Sequence, residues 1–175
     1  AGKTEVIVTR DPIFLDQRIS ANQSGLGQFQ LLDGAKLVVG PGASIVVDNF
    51  VYSGNDGAKK ILLKATKGAF RFISGNSGSH AYSIVTPTAT IGIRGTVFDF
   101  TVAGGRTYLT LVRGEVRLCG GGQSQTLNKP CDFAVASGNG VTKPQSVTNG
   151  LSDGTLGSRF PLLVGQSGLL SGFRA

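Results

Sequence analysis

Histidine occurs once in this chain of 175 residues, at His80, cysteine occurs twice, and tryptophan and methionine are missing. Carboxylates number only 10. One histidine cannot build a histidine metal cage, and a triad would have to run through His80 alone. His80 follows Ser77-Gly78-Ser79, a turn-like stretch that gives it no orienting carboxylate, so it reads as a solvated loop residue. The longest apolar runs are a handful of residues, such as Ile45-Val46-Val47, far below the ~20 residues that cross a bilayer as a helix. Charged residues make up only 15%, against 40% hydrophobic, which excludes a disordered chain. These shortages predict no cofactor, no metal and no enzymatic activity.

What is present is glycine, 27 residues of it, between short runs rich in Val, Ile, Thr and Phe. No window keeps a helical period, whereas alternation recurs at 5–9, 28–32, 36–39, 44–50, 60–65, 69–74, 82–86, 90–93, 97–102, 107–112, 115–119 and 132–136. Turn residues separate these runs: Asp33-Gly34, Gly40-Pro41-Gly42, Asn55-Asp56-Gly57, Gly104-Gly105 and Asn139-Gly140. The expected fold is all-β, with almost no helix, its short strands stacked in a solenoid-like or sandwich-like body. Residues 1–27 read as an N-terminal strand and lead-in, 28–145 as the β domain, and 146–175 as an apolar, Gly-rich tail that packs on the body or on a neighbouring subunit.

Three segments echo one another: Lys67-Gly68-Ala69-Phe70, Arg94-Gly95-Thr96-Val97-Phe98 and Arg113-Gly114-Glu115-Val116. Their spacing is too irregular for a repeat protein, but a glycine at each lets the backbone bend or bulge. Cys119 and Cys131 flank Gly-Gly-Gly-Gln-Ser-Gln-Thr-Leu-Asn-Lys-Pro, read as a loop joining two strand ends. Such a loop could bring the two Cα atoms to the ~5.5 Å of a disulfide, which predicts a structural Cys119–Cys131 bridge. The chain opens Ala1-Gly2-Lys3 with no initiating Met, as signal-peptide cleavage leaves it. With a disulfide, that predicts export to the periplasm or to the cell surface of a bacterium.

Asp48 and Asp99 lie inside apolar strands; alternation turns Asp99, between Phe98 and Phe100, towards solvent, and nothing places the two carboxylates together. Thr86, Thr88 and Thr90 share one side of an extended segment, a row too short for an ice-binding face. The net charge of +7 raises anionic partners, yet Lys59-Lys60 is the one adjacent pair and no aromatic residues interleave with the cations. Nucleic acid is therefore not expected, while an anionic glycan or envelope surface is. Of the residues able to line a ligand cleft, only Tyr52, Tyr82 and Tyr108 are tyrosines.

The central stretch resembles the FecR domain family. Four strings carry the resemblance: Leu32-Asp33-Gly34-Ala35-Lys36-Leu37-Val38-Val39-Gly40-Pro41-Gly42-Ala43-Ser44; Lys67-Gly68-Ala69-Phe70-Arg71-Phe72; Val85-Thr86-Pro87-Thr88-Ala89-Thr90-Ile91-Gly92-Ile93-Arg94-Gly95-Thr96-Val97-Phe98; and Val112-Arg113-Gly114-Glu115-Val116. Asp33, Gly34, Gly68, Thr86, Pro87, Ala89, Gly92, Arg94, Gly95, Thr96, Phe98 and Gly114 are the motif positions. The resemblance implies an all-β, non-enzymatic bacterial envelope domain. In the founding group it is the periplasmic part of a regulator that relays an iron-uptake signal to a sigma factor. With no apolar run long enough to span a membrane and no region to hold a sigma factor among these residues, the expectation is a protein similar instead to stand-alone exported proteins with the domain.

Two functions follow as expectations. The first is a structural or interaction protein of the envelope that self-assembles into a fibre or layer through its ends, its partners being other copies or envelope proteins. Contacts are expected at Val6, Ile7 and Val8, by strand addition, and at Phe160, Leu162, Leu169 and Phe173. The alternative is a sensing module that binds a glycan, peptide or receptor segment.

Overall fold

The computed structural model describes residues 13–14, 16–52, 58–78 and 81–174, with side chains for all of these except 49–52, 58 and 59. His80, Val6, Ile7, Val8 and the strand expected at 5–9 lie outside the described residues, and so does the side chain of Tyr52. Twelve strands form one sheet: β1 Arg18–Ser20, β2 Gly27–Gln30, β3 Lys36–Val39, β4 Ser44–Tyr52, β5 Ala58–Ile73, β6 Tyr82–Val85, β7 Thr90–Ala103, β8 Arg106–Gly120, β9 Gln123–Leu127, β10 Asp132–Ser137, β11 Gly140–Val141 and β12 Gln145–Ser146. Short helices follow: α1 Val147–Gly150, α2 Asp153–Arg159 and α3 Pro161–Val164, then a 3-10 turn Ser171–Phe173. Strand accounts for 53% and helix for 12%, the helix confined to the tail, so the all-β expectation holds for the body.

β5, β7 and β8 are each longer than expected because adjacent predicted strands fuse. What joins them is the glycine echo. The inward, buried series runs Ile61, Leu63, Ala65 in the first half of β5, then Phe70 and Phe72 in the second. It runs Ile91, Ile93 then Phe98, Phe100 in β7, and Leu109, Leu111 then Val116, Leu118 in β8. In each strand the inward residues switch parity at the glycine. One extra residue exchanges the two faces of a strand, so a bulge lets one chain line the core on both sides of a bend. The glycines have φ of 97° (Gly68), 56° (Gly95) and 88° (Gly114), backbone that L-residues with side chains rarely adopt. Between β7 and β8 the register moves from Arg94↔Glu115 to Val97↔Arg113, two residues facing one.

The bent strands divide the sheet into two halves. The first is β1, β4, the start of β5, β6, the start of β7, the end of β8, and β9. The second is β2, β3, the end of β5, the end of β7, the start of β8, and β10 with β11 and β12. One hydrophobic cluster draws on both, from Ile45, Leu63, Ile84 and Leu118 to Leu37, Phe72, Phe100 and Ala134. The result is a sandwich folded from a single sheet. Pairing is antiparallel throughout except β5–β6, and that excludes the solenoid alternative, whose coils pair in parallel.

The cysteines differ from expectation. The stretch between them forms β9, a hairpin partner of β8 in which Cys119 faces Ser124. Cys131 instead lies at the other half of β8, its N–H bonded to the Leu111 carbonyl at 2.8 Å. β8 bends at Gly114 between Leu111 and Cys119, so the two cysteines belong to different halves of the sandwich, Cys119 beside Ser124 in one and Cys131 beside Leu111 in the other. Both thiols are free, so the predicted bridge is corrected by the hairpin.

Candidate functional site

The motif positions, tested for chemistry, prove to be joints. The Thr96 hydroxyl donates to the Arg113 carbonyl at 2.7 Å, and its N–H bonds the Ser74 hydroxyl at 2.8 Å, tying the bulge to both neighbouring strands. Phe98 is fully buried below it, in tilted contact with Phe72 and Phe100. A Cβ on Gly114 would lie 2.2 Å from the Gly95 carbonyl oxygen, and one on Gly68 would lie 2.4 Å from Ala43. The Thr86 oxygen accepts the Ala89 N–H at 2.9 Å and meets the Thr107 hydroxyl at 2.7 Å, closing the Thr86-Pro87-Thr88-Ala89 turn. Thr88 also turns to Thr107, so the three threonines do not form a surface row.

Asp33 serves a second joint. One carboxylate oxygen accepts the Ala35 N–H at 3.1 Å, holding the Asp33-Gly34 turn, where Gly34 has φ of 85°. The other accepts the Ser77 hydroxyl at 2.6 Å and the Tyr82 hydroxyl. Tyr82 is buried, and that burial, reinforced by the hydrogen bond and negative charge of Asp33, pushes its phenol above the usual tyrosine value.

The two outer faces of the sandwich differ in kind. Across the second half runs the register Val38, Arg71, Asp99, Thr110, Phe133, on the side opposite the core phenylalanines. Arg71 is 0% exposed and Asp99 2%. Alternation correctly turns Asp99 away from the core, but the face it reaches is roofed by the tail, so the expected solvent contact is replaced by a buried pair. Arg71 holds Asp99 in a two-pronged bond, Nε to Oδ1 at 2.6 Å and a terminal nitrogen to Oδ2 at 2.8 Å. Its remaining N–H groups reach the tail: the Leu162 carbonyl at 3.0 Å, the Gln166 side-chain oxygen at 3.0 Å and the Phe173 carbonyl at 3.4 Å. Burial pushes the Asp99 carboxyl up, while the hydrogen bonds and charge of Arg71 pull it back.

Apolar pads flank this pair. Leu162, Leu169 and Phe173 pack on Val38, and Phe160 packs with Tyr108, Phe133 and Val147. The Arg159 guanidinium lies 4.4 Å from the centre of the Tyr108 ring, and the Thr101 hydroxyl donates to the Arg159 carbonyl. Phe160, Leu162, Leu169 and Phe173, expected as contacts with another subunit, are buried against their own body. Tyr108, expected as a cleft residue, lies under the same tail.

The first half shows no such roof among the described residues. Its outward positions are exposed or half-buried: Arg18, Val46, Asp48, Lys60, Leu62, Lys64, Val85, Thr90, Gly92, Arg94, Glu115 and Arg117. Asp48 pairs with Lys64 at 3.0 Å, well apart in the fold from the buried Asp99. At the bend the face ends in an open cleft of about 160 Å³, lined by Thr66, Lys67, Pro87, Thr88, Gly104 and Arg106 among others. No group of three or more potential metal ligands occurs among the described residues.

The sequence profile described as FecR protein matches residues 17–117, more than half the chain, and spans Gly68, Gly95 and Gly114 and the Asp33 and Thr86 joints. The chain belongs to the FecR family. Two crystal structures of a candidate anti-sigma factor from Parabacteroides distasonis ATCC 8503 share the fold of this FecR chain, with TM-scores of 0.61 and 0.59 at 16% and 15% identity. Each comparison covers 74% of this chain and 59% of the other, so the FecR chain spans about three-fifths of those proteins' length. No curated protein sequence matches it. The matched segment holds Arg71 and Asp99 but stops before β9 and the tail that covers them.

The bending glycines are visible in the sequence as a repeated cation–glycine pattern, whereas the buried Arg71–Asp99 pair is not. Phe70-Arg71-Phe72 and Phe98-Asp99-Phe100 each place one charge between two core aromatics. Opposite charges in matched settings, beside an apolar tail, were the available signal.

Proposed function

We propose that this FecR protein is a contact-based sensing module of the bacterial envelope, which recognises a partner and relays its presence without turning over a substrate. The observation that carries the reading is the unequal treatment of the two outer faces. One is sealed by the protein's own tail around Arg71–Asp99, and the other presents exposed and half-buried residues of seven strand segments. Membership of the FecR family, and a fold shared with candidate anti-sigma factors, support a regulatory role over a scaffolding one. The alternative of a self-assembling fibre draws no support from the C-terminal apolar residues, which the body itself covers. An exported location remains part of the proposal, and fractionation of cells carrying the tagged protein tests it.

The functional test compares transcripts in cells lacking the protein with those in cells producing it. A sensing module alters a confined set of transcripts and restores them on complementation. Unchanged transcripts, with purified protein that forms filaments in negative stain, would overturn the reading in favour of a structural role.

A further inference from the structure

The uncovered outer face has a composition of its own. One register row crosses it as Arg18, Val46, Lys64, Val85, Thr90, Cys119, Ser124, and the next as Leu62, Ser83, Gly92, Arg117, Thr126. Val46, Leu62 and Val85 are half-buried aliphatic residues set around Lys64, while Arg18, Lys60, Lys64, Arg94 and Arg117 stand exposed. Gly92 contributes no side chain, and a Cβ there would meet nothing nearer than Arg117 at 3.8 Å, so a trough opens between Ser83 and Arg117. Lys67 and Arg106 continue the cationic border into the cleft at the bend. Against these seven cations stand Asp48, Glu115 and, beside β1, Asp16.

We infer that this face binds an acidic polypeptide segment, one in which carboxylates alternate with aliphatic side chains; the inference rests on the sensing role proposed above. Charge complementarity selects an anion, and half-buried Val46, Leu62 and Val85 between the cations favour a polypeptide with aliphatic side chains among anions. Single-stranded nucleic acid stacks on aromatic side chains, and the seven strand segments of this face present none among the described residues. The chain's own residues 1–12 carry Lys3 and Arg10 against Glu5 and Asp11, and so bring no net negative charge to the site. Seven strands at ~4.8 Å spacing span about 29 Å, the length of roughly nine extended residues.

The test uses a fluorescein-labelled peptide of five Glu-Val repeats, its Gln-Val counterpart and a heparin oligosaccharide, read by anisotropy on the intact chain. The Glu-Val peptide binds, more weakly as salt rises, and the Gln-Val peptide does not. The Lys64→Glu/Arg117→Glu variant loses about tenfold in affinity, from two attractions removed and two repulsions gained. A Lys129→Glu/Lys143→Glu variant, reversed at exposed sites elsewhere, binds as the parent does. Equal affinity in all three proteins, no peptide binding, or heparin binding without peptide binding would overturn the inference. The transcript comparison is untouched by those outcomes, so failure of the site and failure of the sensing role remain separable.

Discussion

Replacing Arg71 with leucine would isolate what the latch beneath the tail contributes. In the folded protein the guanidinium satisfies both oxygens of a carboxylate that is 2% exposed, as well as the Leu162 carbonyl, the Gln166 side chain and the Phe173 carbonyl. Removing one partner of a buried pair leaves an uncompensated charge, which costs about 3–5 kcal/mol. Arg71→Leu/Asp99→Leu removes that charge as well. Apolar replacement of a buried pair is close to neutral in itself, so the double variant retains only the cost of tail carbonyls without a donor, about 1–3 kcal/mol. The double variant should therefore be the more stable of the two.

Urea unfolding at pH 7 measures the difference, and hydrogen exchange over 160–174 reports whether the tail lifts. The pH dependence gives a further check. Arg71 supplies the hydrogen bonds and charge that pull the Asp99 carboxyl down, so without it burial pushes the carboxyl up unopposed. A carboxyl whose folded value exceeds its unfolded value favours folding fully at pH below the unfolded value, about 3.9, and loses that contribution as pH rises through the folded value. The deficit of Arg71→Leu should then narrow towards pH 4 and widen towards neutrality. A single variant that loses less than about 1 kcal/mol, or a double variant as damaged as the single, would refute the latch.

Other consequences are more local. Gly114→Ala forces a Cβ to 2.2 Å from the Gly95 carbonyl at φ of 88°, and should cost about 2 kcal/mol or more in thermal melts. Gly95→Asn, at φ of 56° with open space around it, should cost under about 1 kcal/mol, since asparagine tolerates that conformation. Tyr82→Phe removes the hydroxyl that bonds Asp33 and receives the Gly75 N–H, for a loss of about 1–2 kcal/mol near neutral pH. Because the folded phenol lies above its ordinary value, the parent keeps this group's contribution up to about pH 10 and loses it above, and the phenylalanine variant should lack that alkaline component. Reductant should leave the melting temperature unchanged and thiol titration should count two groups; an intramolecular Cys119–Cys131 bridge in purified protein would contradict the hairpin.

The body of the fold was legible because strand alternation and glycine carry their own physics. Gly68, Gly95 and Gly114 read as sites of bending, and each marks where the inward series of a long strand changes parity. What sequence could not show was continuity. Ala65 and Phe70 read as two strands because alternation breaks between them, whereas hydrogen bonding runs through the break. β9 was hidden for a different reason: Gln-Ser-Gln-Thr-Leu is polar at four of five positions, and only pairing with β8 makes it a strand. The disulfide expectation failed with it, since a polar stretch taken as loop can close a ring that a hairpin cannot.

Arg71 and Asp99 show where alternation stops being informative. Period two assigns a residue to a face and says nothing of what that face meets. For Asp99 the ordinary companion of the outward side is water, and a charge between two phenylalanines satisfies that assignment fully. The tail alters the outcome by bringing Leu162, Leu169 and Phe173 over the strands, a contact 63 or more residues distant from Asp99 in the chain, with helices too short to announce an apolar stripe. Covered in this way, a lone carboxylate would be costly, so the roof requires its counter-charge on the adjacent strand. The matched Arg71↔Asp99 register supplies it, and Arg71 has N–H groups to spare for the roof itself. Pair and tail are thus mutually dependent: the ion pair makes the covered face tolerable, and the cover makes the pair structural instead of a solvated surface contact.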